Sequence, residues 1–514
     1  MIMADSSPAA EVLSAKTTCS RCVGSSLENE CVCVASQRGR KASRRRRQTR
    51  HSECRRRNDA VDSRDGEESG GSGSEDAGAE AFFQEAPPSP WTTQGTHGSS
   101  VECSAERCIS SFYHYFFASH PFVLPQEQLK RVMAERTDEV QPLRAAMAWI
   151  GSLYLPVSPG FRVEAYEKAR RQMAEGRVRR RGFLLQAMML LVLGLDGCDR
   201  RGEATAALRD AEHLALEIGL NTRHFASLWG LDTRAVEESW RRTWWELYVV
   251  DAMMAGVRRA SDFVLCDVGA DVALPCEEHE YMSDCIPASR VYIEDLENQD
   301  LSQDKSHCLS SFAHRILSAR ILGVSRSFDP RHEHEHLDRT ERLLTTWRLG
   351  LPHEKQASLC PDGSPDEMMF QAHMISHATS ILLHQPLSVL DSSSPVGDVT
   401  SCGCGTSHTR HVVESAAAIS NMITHRVPLI SHSHFFSCIV SLSAVVHLSQ
   451  WAPLASGADE RIRQLVRLDI AALHGLSAVW RAAGREREQV QAMAQEIYRA
   501  KKGRTESSQE HLKF

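Results

Sequence analysis

"AVEESWRRTWWELYVVD", residues 235–251, decides the fold class of this 514-residue chain. Val236, Trp240, Trp244 and Leu247 recur at three- and four-residue intervals, which lays one apolar stripe along a helix. Glu237 and Glu238 stand four residues before Arg241 and Arg242, the order that favours ion pairs along a helix face. A half-buried strand would need alternation of period two, and the stretch has none. Tryptophans can stack on nucleic-acid bases, but at this spacing Trp240, Trp244 and Trp245 are expected in a core. Arg241 and Arg242 are expected to pair with helix neighbours on the opposite face.

The same texture extends in both directions. In "AALRDAEHLALEIGLN" (206–221), Leu208, Ala211, Leu214, Ala215 and Ile218 form a stripe, and Gly219 suits a helix stop. Residues 372–390, 411–423, 435–449 and 462–480 add further helical patterns, while β-branched alternation is confined to short stretches near 263–274. The polar stretches 294–307 and 391–409 read as surface loops. No repeat of fixed period is visible. The expected fold is all-α, a large packed helical array over 105–500, with a polar tail at 501–514. The longest apolar runs, 183–195 and 435–449, fall short of the ~18–20 residues of a membrane span. No membrane partner is therefore expected.

Upstream of that array the composition changes three times. Residues 1–36 hold Cys19, Cys22, Cys31 and Cys33; residues 37–57 hold eleven Lys/Arg and one acid. Residues 58–80 then hold eight acids and one Arg, so the net charge of −7 averages two opposed blocks. Residues 58–104 are rich in Gly, Ser, Pro and acids and read as a disordered linker, with too few apolar residues to offset ordering entropy. The start of the chain lacks the basic-then-apolar pattern of a signal peptide, so the sixteen cysteines are expected as thiols in a reducing compartment.

Zinc takes about four thiolate or imidazole ligands in a tetrahedron, and a Cys-x-x-Cys turn presents two sulfurs to one side of the ion. Cys19 and Cys22 make such a turn, and Cys31 and Cys33 can complete a single-zinc site. The alternative is four free thiols in a disordered tail. The run Arg38, Arg40, Lys41, Arg44, Arg45, Arg46 and Arg47 is expected to serve nuclear import, contact DNA phosphates, or do both.

The helical region resembles the fungal-specific regulatory domain of fungal zinc-cluster transcription factors. The likeness is carried, in order, by "FYHYFFASHPFVLP" (112–125), residues 184–221, "EESWRRTWWELYVVDAMMAGVRRASDFVL" (237–265), "DVALPCEEHEY" (271–281) and "ILLHQPLS" (381–388). That family carries a six-cysteine, two-zinc cluster ahead of the linker. Cys19, Cys22 and Cys31 fit its second half, with Arg38, Gly39, Arg40 and Lys41 as the basic exit; residues 1–18 hold no cysteine for the first half. The resemblance implies a nuclear regulator of RNA polymerase II promoters whose helical domain modulates activation. It implies DNA, an import receptor, a homo- or heterodimer partner and a small-molecule effector as partners. Without a complete cluster, the alternative is an interaction-only co-regulator that lacks sequence-specific DNA binding.

Two further motifs invite a metal reading. "HEHEH" (332–336) spaces His332 and His336 by four residues, but it follows Pro330 and reads as an exposed helix start. Cys402 and Cys404 in "SCGCG" (401–405) read as an ordinary loop. No Gly-rich phosphate loop follows a strand, and no nucleophile elbow or paired-carboxylate constellation nominates an enzyme.

Overall fold

The computed structural model describes residues 105–175, 181–258, 262–297, 309–326, 333–360, 362–390, 404–425, 427–454 and 459–511. All of them fall within one compact unit, Ser72–Phe514. The zinc-cluster segment, basic run and linker expected upstream of Ala105 lie outside the described residues.

The described residues form an all-α array. It opens with α1 (Ala105–Ser111), which runs into a π-helical turn at Phe112–Phe116. Next come α2 (Gln126–Glu135), α3 (Thr137–Leu153), α4 (Pro159–Glu175), α5 (Arg181–Gly197) and α6 (Arg201–Glu217). The short α7 (Arg223–Trp229) leads to α8 (Arg234–Gly256), and two single-turn helices follow, α9 (Glu278–Met282) and α10 (Ile293–Glu297). The remainder is α11 (Ser311–Arg326), α12 (Glu333–Leu349), α13 (Glu367–His384), α14 (Cys404–Ile423), α15 (Phe435–Trp451), α16 (Glu460–Ser477) and α17 (Arg481–His511). Helices α11 and α13 pack side by side, as do α5 with α6, α3 with α5, and α15 with α16.

Local chemistry sets several boundaries. The Thr233 hydroxyl accepts from the Val236 amide at the start of α8, and Asp366 accepts from the Met369 amide at 3.0 Å to start α13. Gly219 takes φ +73° after α6, the left-handed conformation that only glycine adopts without cost. Gly151 in α3 lets α1 approach: a Cβ there would stand 1.8 Å from the Cys108 carbonyl oxygen. The stretch near 263–274 forms a 3₁₀ turn, Val264–Asp267, and then extended chain whose amides at Asp271 and Leu274 bond Asn221 and Val291; no strand occurs among the described residues. The two stretches read as loops are partly helical, since α10 begins at Ile293 and α14 at Cys404. The last helix continues through the polar residues beyond 500 to His511.

Candidate functional site

Helix α8 is buried on every side. Of residues 235–256 only Glu237 is partly exposed, and Trp240, Trp244 and Trp245 all lie in the core. The expected pairs form: Arg241 reaches Glu237 at 3.4 Å and Glu238 at 2.9 Å, and Arg242 reaches Glu238 at 3.2 Å. Their location differs from the expectation. The polar side of α8 does not face water; it is roofed by the 272–281 segment and α9. The Glu278 carboxylate accepts from Arg242 at 2.8 Å, and the Cys276 and Pro121 carbonyls accept from it at 2.8 and 3.3 Å. The guanidinium lies 4.1 Å from the Tyr281 ring centroid, a cation–π contact stripped of solvent. Burial would raise the Glu238 carboxyl, but Arg242 and Arg241 outweigh it and hold the group below its ordinary range.

One turn further on, Glu246 is fully buried between two partners. Its carboxylate lies 2.7 Å from Nδ1 of His120 and accepts from Arg315 of α11 at 2.5 and 3.0 Å. Desolvation acts to raise this carboxyl, yet Arg315 and His120 hold it down to about 2.

These charges clasp a non-helical strip, residues 120–124, which runs through the core with every residue buried. Buried backbone carbonyls outside a helix must find donors elsewhere. Here Ser239 of α8 and Gln186 of α5 donate to the Phe122 carbonyl at 2.9 and 3.1 Å, and the Tyr281 hydroxyl donates to that of Val123 at 3.0 Å. The Tyr113 hydroxyl closes the set on Leu124 at 2.8 Å. The arrangement fixes the entry of the chain into the helical array; it offers no open cleft for a substrate.

Other polar clusters were invisible in sequence because their members are far apart along the chain. Asp196 of α5 meets Arg258 at 2.8 Å and His434 at 2.9 Å. Ser420, His447 and Asp469 gather in the core, but Ser420 lies 3.0 Å from Nε2 of His447 and Asp469 lies 3.9 Å from that same nitrogen. A nucleophilic triad needs serine and carboxylate on opposite ring nitrogens and a path for substrate, so this is a structural network. At the meeting of α12, α13 and α14, Glu341, His384 and His411 bring ligand-type atoms within 4.8 Å of one another. A groove of about 560 Å³ between α15 and α17 has Glu496 as its single charged lining residue and lacks convergent polar groups.

Cys19, Cys22, Cys31, Cys33 and the basic run from Arg38 to Arg47 lie outside the described residues, as do His332 and Cys402. His336 is described, and its Nε2 turns to the Ser325 carbonyl at 3.3 Å, an ordinary helix–helix contact. Within the histidine cluster only His408 and His411, three residues apart, stand close enough in sequence to signal it.

Helix α8 and its roof lie inside a segment that resembles a known family. Residues 180–349 match the fungal specific transcription factor domain. That domain segment spans α5 to α12, so the Arg242 and Glu246 centres both fall within it. The chain is also 48% identical over 411 residues to the C6 finger domain transcription factor iacK of Pestalotiopsis fici, a likeness that takes in 77% of this chain. It spans 60% of the length of that relative. No solved structure matches. Both likenesses are to proteins described as transcription factors.

Proposed function

We propose that the protein is a nuclear transcription regulator of the fungal zinc-cluster class, acting at RNA polymerase II promoters. The observation that carries this reading is the match of residues 180–349, centred on buried α8, to the fungal specific transcription factor domain. The 48% identity to a C6 finger transcription factor supports it. Residues 105–500 form the regulatory domain; the segments ahead of it deliver that domain to DNA.

Cys19, Cys22, Cys31 and Cys33 offer four thiolates, the donor number and softness that zinc selects. When bound, zinc would link the four cysteines between Cys19 and Cys33. Arg38, Arg40, Lys41 and Arg44–Arg47 neutralise DNA phosphates and engage an import receptor. A dimer partner and a small-molecule effector belong to the same reading of the family, acting on the helical domain.

Nuclear entry is tested by replacing Arg44, Arg45, Arg46 and Arg47 with Ala in the tagged full chain. Imaging should find the variant in the cytoplasm, and the salt dependence of DNA binding should become shallower by about one unit of slope for each phosphate no longer neutralised. Undiminished nuclear accumulation with an unchanged salt slope would remove the run from both roles.

A further inference from the structure

We propose that Glu341, His384 and His411 form a site for one divalent transition-metal ion of the zinc type, tying together α12, α13 and α14. The site lies more than 300 residues from Cys19 and Cys22 and is independent of them.

The donor set suits such an ion. Two imidazoles and one carboxylate, with water at the fourth position, are a common way to hold Zn²⁺, with bonds of about 2.0–2.2 Å. The residues also come from three separate helices: Glu341 from mid-α12, His384 from the last position of α13, His411 from the first half of α14. Chain proximity alone does not explain their meeting.

The spacing suits it as well. Neighbouring ligands of a tetrahedral zinc stand about 3.3 Å apart, as its bond lengths require. Nε2 of His411 is already 3.4 Å from Oε1 of Glu341, and all three ligating atoms fit within 4.8 Å. The His384 and His411 rings lie stacked with centroids 4.6 Å apart, so binding asks that the rings rotate to bring one nitrogen of each to the ion. His408 supports the trio: its Nδ1 is 2.9 Å from Nδ1 of His384. A metal-ligating histidine commonly has its second ring nitrogen held in this way, which fixes the ring. Arg348, a nearby cation, donates to the Ser376 hydroxyl at 3.2 Å.

Solvent reaches the trio from one side. His384 is buried, whereas the side chains of His411 and Glu341 are 28% and 39% exposed, so an ion can enter from solvent and keep one water. Bound metal would pin the start of α14 and the end of α13 to α12.

The test uses the full chain with Cys19, Cys22, Cys31 and Cys33 replaced by Ser, loaded with Zn²⁺, passed through gel filtration and analysed for metal. About one zinc per chain should remain, and added Zn²⁺ should raise the melting temperature because the ion binds only the folded state. His411→Ala should abolish both effects. Glu341→Gln, at a partly exposed position where folding is preserved, should weaken binding at least tenfold, and His408→Ala should weaken it about tenfold. A four-serine chain that retains no zinc would overturn the proposal. So would retention and a melting shift that His411→Ala and Glu341→Gln leave unchanged.

Discussion

Replacing Arg242 with Met tests the buried charge centre at its most exposed assumption, that the guanidinium is needed there. Methionine fills much of the same volume without charge, so the loss is mainly electrostatic and includes the guanidinium's contacts with the Tyr281 and Phe312 rings. Glu238, fully buried, would lose its 3.2 Å partner and keep Arg241; Glu278 would lose a 2.8 Å partner. Removing one member of a buried pair typically costs about 3–5 kcal/mol, because the other charge is left without compensation. Globular proteins unfold with about 2.1 cal/mol/K of entropy per residue, so for an array of about 400 residues this is a fall of roughly 4–6 °C. Urea unfolding of the full chain, followed by tryptophan fluorescence, reads the change. Adding Glu238→Gln to the variant should return roughly 1–3 kcal/mol, since a neutral amide in that place has less desolvation to bear. A loss below about 1 kcal/mol, or a second substitution that only deepens the loss, would refute the reasoning.

Two further outcomes follow from single contacts. Glu212 of α6 and Asp251 of α8 are both buried; burial, reinforced for Glu212 by Asp251, pushes Glu212 up to about 8 and Asp251 to about 7. The folded pair therefore keeps protons that the unfolded chain gives up near pH ~4. Its stabilisation is complete below that pH and is lost as the pH rises towards 8; Glu212→Gln should flatten this slope in unfolding measured from pH 5 to 8, and an unaltered slope would count against the retained protons. Gly151→Ala drives a Cβ to 1.8 Å from the Cys108 carbonyl oxygen, so α1 must shift at a cost of about 1–3 kcal/mol; unfolding equal to wild type would show that α1 docks loosely.

The helices with one strong stripe were legible from sequence. The tryptophans of α8, the stripe of α6 and its Gly219 stop depend on residues within a few turns, and a local pattern reports local structure. What the pattern could not report was the far side of α8. Arg241 and Arg242 look like a solvent face when read with their helix neighbours alone, yet the residues that bury Arg242 stand 36 positions downstream at Glu278 and 121 upstream at Pro121. The same holds for the 120–124 strip, whose donors are supplied by Gln186, Ser239 and Tyr281. It also holds for the metal candidate, where His384 and His411 belong to stretches that each read as an ordinary helix. Short helices such as α10 escaped because one turn carries too little periodicity to distinguish it from a polar loop.

The proposed role is that of a zinc-dependent regulator that acts on DNA. It is tested most directly by mapping the tagged full chain on chromatin, beside a variant with Cys19 and Cys22 replaced by Ser. The predicted result is discrete occupancy at promoters that collapses in the variant while the protein stays folded and abundant. Occupancy no greater than an untagged control, or peaks that persist unchanged without the two thiols, would contradict it.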